Sequence, residues 1–253
     1  MTALEFRPAP GAAPPARRIW SHSLVETKLL VRNGEQLVLA LVIPLGILII
    51  GHLVGSRFGD LTTLAPSVLA LAIWSSAFTS VAIATGFERR YGVLERLVST
   101  PLGRTGLLAG KAGSVMLIVL GQLIVLIMVS LALGWRPSFT PVSALAAIAT
   151  VILAVATYVG LALVLAGRLR AEATLGLANL IYVILLAGGA LVVPLARYPR
   201  SAQPIIEFLP TAALGEGLRS HATGLVPGWP FAVLFGWLVV AAAAAWKGFR
   251  WTS

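Results

Sequence analysis

Apolar residues gather into six long runs, and the segments between them carry nearly all of the charge. The runs are Gln36–Val54, Ala65–Phe87, Ala112–Gly134, Val142–Ala166, Thr174–Pro194 and Trp229–Trp246. A helix crossing a bilayer needs about 20 mostly apolar residues, and each run is too long and too apolar for an ordinary strand. An open sheet would leave its edge groups unpaired in lipid. The pattern therefore predicts an all-α integral membrane protein with six transmembrane helices.

The polar segments predict further elements. In residues 19–35, IWSHSLVETKLLVRNGE, apolar pairs (Ile19/Trp20, Leu24/Val25, Leu29/Leu30) alternate with charges. This reads as an interfacial elbow helix that turns into the first span, with Glu26, Lys28 and Arg32 on its polar side. Residues 1–18 are rich in Pro and Ala and lack a secretory h-region, so they read as a disordered tail. The long gap Leu195–Gly228 predicts two short helices, Pro204–Leu209 and Pro210 to about Arg219, because proline suits a first helical turn. Phe208, Leu209, Pro210 and Leu214 are the prominent apolar and helix-starting positions of that hairpin. The remainder, 36–253, is one six-span domain with inserts at 88–111 and 195–228.

The insert at 88–111, ERRYGVLERLVSTPLGRTGLLAGK, is the most structured polar segment. Glu88, Arg89 and Arg90 end the second run. Tyr91–Ser99 then reads as a short helix, with Val93, Leu94, Leu97 and Val98 apolar and Glu95 and Arg96 opposite. Thr100-Pro101 breaks it and is expected to start the next helix as cap and first residue. Gly92, Gly103, Gly106 and Gly110 punctuate the stretch, and Lys111 marks the return to apolar sequence. A solvated loop would account for the basic residues but not for the ordered apolar face.

Composition places the chain outside the soluble class. It is 58% hydrophobic and 11% charged, with a mean hydropathy of +0.93, whereas soluble domains carry about 25% charged residues. The net charge of +10 lies mostly in the gaps. Fourteen Lys and Arg fall on one side of the six runs and five on the other, so the richer side, with both termini, is expected in the cytoplasm. Basic blocks interleaved with aromatics are absent, which argues against a nucleic-acid partner. Cysteine is absent, which removes disulfides, thiolate metal sites and cysteine nucleophiles.

Candidate chemistry is sparse. Gly106 to Ala112 resembles a P-loop, but the spacing is one residue short, Ala112 stands where Ser or Thr holds magnesium, and no strand precedes it. His22, His52 and His221 are isolated in sequence, so no metal site is expected. The runs hold no Asp or Glu, which disfavours a proton-coupled transporter. One Asp in the chain leaves no paired carboxylates for a diphosphate enzyme. Trp74, Ser75, Ser76, Phe78 and Thr79 cluster in the second run, and Asn179 and Tyr182 lie in the fifth. They fit either helix–helix hydrogen bonding or an amphiphile-tolerant pathway; the first of these is the more ordinary use.

The insert resembles the cytoplasmic signature of the type-two ABC exporter permeases: Glu88, then Gly92-Val93-Leu94-Glu95-Arg96-Leu97, then Thr100-Pro101-Leu102, then Gly110-Lys111. Glu26-Thr27-Lys28-Leu29-Leu30 with Arg32-Asn33-Gly34-Glu35 and Pro44 is similar to the lead-in of small drug- and antibiotic-exporter permeases. Leu209-Pro210, Leu214 and Leu218-Arg219 are similar to their external helix pair. Arg89 and Arg90 stand where many members carry a second acid.

The resemblance implies a bacterial plasma-membrane exporter subunit that pairs with a second permease chain and binds two separate ATPase subunits, which hold the ATP and Mg²⁺. It implies contact with the ATPase through the elbow and the insert, a pathway for an amphiphilic drug, antibiotic or lipid between the permeases, and an outer gate at the external hairpin. A non-transporting membrane scaffold, or a lipid or polysaccharide exporter permease, is the alternative.

Overall fold

The computed structural model describes residues 11–32, 34–54 and 60–248. Residues 1–10 of the expected tail, Asn33, Gly55, Arg57 and Arg250 lie outside the described residues. Among the described residues every regular element is helical. In order these are α1 (Pro15–Arg32), α2 (Gly34–Val54), α3 (Leu61–Trp74), a π-helical turn (Ser75–Ser80), α4 (Val81–Arg90), α5 (Val93–Val98), α6 (Gly103–Ala132), α7 (Pro141–Ala166), α8 (Ala171–Gly188), a 3₁₀ turn (Leu195–Arg197), α9 (Gln203–Glu207), α10 (Pro210–Ala222) and α11 (Trp229–Gly248).

Among the described residues four helical lengths are long and apolar enough to cross a membrane: Leu61–Arg90, Gly103–Ala132, Pro141–Ala166 and Ala171–Gly188. Shorter apolar stretches, Ala40–Val54 and Trp229–Ala245, belong to α2 and α11. The protein is thus a multi-pass membrane protein. The α3–π–α4 rod is its axis. Leu64 through Trp74 are all buried, and the rod packs against α2, α6, α7, α8 and α10. Small side chains on the facing surfaces, including Ala65, Ala70, Ala77, Ala154 and Ala162, are fully buried and let the backbones approach closely. One end of the rod leads into α5; the other is covered by α10.

Three boundaries differ from the sequence reading. Helix α1 begins at Pro15, because proline is tolerated in a first turn. Helix α6 begins at Gly103, so Thr100-Pro101 does not start it. Instead Thr100 Oγ1 donates back to the Leu97 carbonyl at 2.6 Å, closing α5, and Gly103 makes the turn with φ +67°. The fifth apolar run is helical only to Gly188. Beyond it Ala190 adopts φ +51°, and its carbonyl is taken by the Arg219 side chain at 2.7 Å.

Candidate functional site

Three consecutive residues at the end of α4 bind three different parts of the chain. Glu88 accepts from Lys111 Nζ on α6 through Oε1 at 2.8 Å, and its Oε2 lies 2.7 Å from the same ammonium as an ion pair. Arg89 is buried and donates to the Leu169 carbonyl in the α7–α8 connection. Arg90 pairs with Glu172 in the first turn of α8. The two arginines replacing an expected acid therefore have a use: they fasten the axis to the second connection at this end of the bundle.

Lys111 extends the network to α1. Its ammonium also lies 3.3 Å from Glu26 Oε1. Glu26 Oε2 accepts from Ser114 Oγ at 3.1 Å, and His22 Nε2 lies 3.2 Å from Oε1. Burial pushes the Glu26 carboxyl up, but His22 and Lys111 more than offset this and hold it below its ordinary value.

A glycine stripe on α6 brings α1 this close. A Cβ at Gly106 would crowd Leu102 and approach Ile19, one at Gly110 would enter the His22 ring, and one at Gly113 would fall 2.5 Å from Ser23 Oγ. Ser23 is buried and donates to the Gly110 carbonyl at 2.9 Å. The Arg18 guanidinium reaches the Pro101 carbonyl. By contrast, Lys28 and Arg32 are exposed on α1 and do not join the cluster.

Helix α5 is mounted on this frame. Gly92 supplies the left-handed entry, φ +68°, which costs glycine little. Leu94 is buried, Leu97 and Val98 are half-buried, and Glu95, Arg96 and Thr100 are exposed. Val93, expected on the apolar face, is exposed.

The polar and aromatic residues of the axis divide into two sets. Trp74 stacks on Phe78 at 4.3 Å and meets Tyr158 of α7 edge-on at 4.8 Å; all three are buried. Ser75 and Thr79 are half-buried on another side, Asn179 is exposed on α8, and Tyr182 is half-buried. The π-helical turn widens the axis here. Ser76 donates to Gln122 Oε1 on α6 at 2.7 Å, and Gln122 Nε2 donates to the Ala40 carbonyl on α2 at 3.3 Å.

At the opposite end, Phe208 is exposed, Leu209 half-buried, and Pro210 and Leu214 buried. Arg219 is the organiser. It donates to Ser67 Oγ at 2.8 Å, to the Leu191 and Ala190 carbonyls at 2.9 and 2.7 Å, and to Glu216 at 2.9 Å. Glu216 also accepts from the Leu195 backbone at 2.6 Å. This single side chain ties α10 to α3 and to the end of α8.

The sequence reading named Glu26, Glu88 and Lys111 separately but did not pair them, and it passed over Ser114, Gln122, Tyr158, Glu216 and Arg219 as site residues. A signal existed for three of these. Gln122 is an amide within an apolar run, and Glu216 and Arg219 stand three apart on one helix face.

A family model described as ABC-2 type transporter matches residues 19–222 of the chain. No curated protein sequence matches it significantly.

Proposed function

The chain belongs to the ABC-2 type transporter family, and from that premise we propose that it forms one half of an exporter's membrane pathway and is driven at the α5 end by a separate ATPase. Permeases of this family work with ATPase partners. In this reading the chain has six spans, α2 and α11 being the first and last, and sits in a bacterial plasma membrane with both termini and α5 in the cytoplasm. The fourteen-to-five distribution of basic residues supports that orientation. A second permease chain faces it, and two ATPase subunits, which carry ATP and Mg²⁺, dock on α1 and α5.

The observation that carries the proposal is the Glu88-Arg89-Arg90 junction. A partner that pushes α5 acts through Gly92 on the end of α4, and α4 is fastened there to α1, α6 and α8. A local push therefore becomes displacement of several helices together, the kind of rigid-body shift that switches packed elements between two states. The π-helical turn, a recurrent hinge feature, separates α4 from α3. Helix α3 is anchored at the far end through Ser67 and Arg219. Motion entering at α5 bends the axis at residues 75–80 and reaches α10, the proposed outer gate, with Phe208, Leu209, Pro210 and Leu214. In this reading Ser75, Asn179 and Tyr182 face an amphiphilic cargo between two permeases, while the Thr79 hydroxyl is enclosed within the chain. Trp74 and Phe78 shape that surface from behind.

The test is reversal of the two exposed charges of α5, Glu95→Lys with Arg96→Glu, in the complex reconstituted with its ATPase. The expected result is loss of cargo-stimulated ATP hydrolysis and of transport with an unchanged melting temperature. Unaltered stimulation and transport would remove α5 from the role.

A further inference from the structure

A cavity of about 320 Å³ lies inside the single chain, between α1, the α4 end of the axis and α6. Its lining runs from Glu88 to Ser76 along the axis, twelve residues or about 18 Å at helical rise. Between those ends the wall is mainly apolar, formed by Leu30, Val81, Ala84, Val115 and Ile118, with Ser80 as a polar member. Val25 and Leu29 form an exposed outer lip. The volume is at the lower edge of ligand pockets, about 300–1,000 Å³, and holds one chain rather than two.

The polar end has a definite sign. It contains Glu26, Glu88 and Lys111 with His22 beside them. Lys111 is spent on both carboxylates, and its side chain is 6% exposed against 27% for Glu88. Glu26, at 14%, is covered by His22 and Ser114. The group that an entering molecule meets is a carboxylate in a cluster with two acids and one lysine. An anionic head would meet Glu88 first and find the ammonium already enclosed.

We propose that this cavity binds a single-chain amphiphile with a cationic amine head, admitted from the lipid past Val25 and Leu29, its head on Glu88 and its tail along Val81, Ala84, Val115 and Ile118. The site lies within one chain and is distinct from a pathway between two permeases. It rests on the membrane reading above but needs neither ATPase nor nucleotide. Val93 and Leu97 of α5 also line it, so an occupant touches the element that receives the partner's push.

The test uses the full chain alone in phosphatidylcholine nanodiscs, with dodecylammonium carrying a tail diazirine, and dodecyl sulfate carrying the same group as the contrast. Because no ATPase is present, failure here is distinguishable from failure of the coupling proposal. Saturable labelling by the ammonium probe at residues 81–84 and 115–118 is expected. Glu88→Gln should weaken its half-saturation about tenfold, the effect of one charge-assisted hydrogen bond. Ala84→Phe, which fills the cavity away from the charges, should abolish labelling at an unchanged melting temperature. Equal labelling by dodecyl sulfate, labelling that does not saturate, or full labelling of Ala84→Phe would overturn the proposal.

Discussion

Lys111 is the residue on which the inner network turns. It is buried and serves two carboxylates on two different helices. Removing one member of a buried ionic cluster leaves the others uncompensated, at a cost of about 3–5 kcal/mol. Lys111→Ala should therefore lower the melting temperature in detergent sharply. Lys111→Met combined with Glu26→Gln and Glu88→Gln should recover most of the loss, because no buried charge is then left alone. A triple variant as unstable as the single one would show that the charges themselves, rather than their mutual compensation, hold the helices. Glu26 also sets a pH limit. Its folded carboxyl is held below the ordinary value of 4.5, so the stability it contributes is present above that pH and is lost as pH falls through the lower folded value. Hydrogen exchange of α1 should stay slow down to pH 4.5 and rise below it. The residues of this cluster were legible one at a time, as charges at run edges. Their pairing was not, since 23 and 85 positions separate Lys111 from its two partners and only the fold brings them together.

At the level of elements, α1 against α6 is the contact most sensitive to one atom. Gly113→Ala places a methyl against Ser23 Oγ, and overpacking of this kind costs about 1–3 kcal/mol. Proteolysis of α1 should accelerate in this variant while the melting of the remaining bundle changes little. The entry to α5 makes a different demand. Nothing lies within 4 Å of a Cβ at Gly92, so its left-handed φ of +68° is the whole constraint. Gly92→Ala should cost about 1 kcal/mol, and Gly92→Asn less, because asparagine tolerates that conformation. If both variants behave alike in stability and in stimulated ATPase, the conformation of this residue has no part in positioning α5. Run lengths and prolines made most helices readable from sequence. The end of α8 was not, because residues 189–194 remain apolar and continue the hydropathy signal. What stops the helix there is tertiary: Arg219, from another helix, takes the carbonyls of Ala190 and Leu191. Thr100 was misread for a comparable reason. Its hydroxyl accepts from the Leu102 backbone N–H at 3.3 Å as a cap would, but it also donates to the Leu97 carbonyl at 2.6 Å, and the next helix starts only at Gly103.

For the whole molecule, the arrangement is a rod with one fastening at each end and a π-helical turn between them. The outer flank is less filled. Helix α8 exposes Leu180, Val183 and Ile184, and Asn179 is exposed among them. If α8 borders a hydrated pathway beside a second permease, Asn179→Cys should react readily with a water-soluble maleimide. Ile184→Cys, about 140° around the same helix, should stay unreactive. Equal reactivity would place both positions in one environment and remove α8 from the pathway wall. The natural absence of cysteine makes each such label unique. The all-helical, multi-pass plan of the molecule was readable because long apolar runs must be helical in lipid; of the six runs, four correspond to lengths that qualify as spans among the described residues. Its interior was less so: the polar and aromatic cluster around Trp74 and Phe78 read either as helix–helix contact or as a pathway lining, and only the fold shows the two rings meeting Tyr158 in the core.

The central claim is that work enters this chain from a partner through α5. A single cysteine at exposed Glu95, linked by a short bifunctional reagent in the active complex, tests it most directly. The account predicts an adduct with the ATPase subunit, no reaction with an impermeant reagent added outside intact cells, and arrest of ATP-driven transport once the link forms. An adduct-free α5, labelling from the outside, or transport that continues through the crosslink would contradict it.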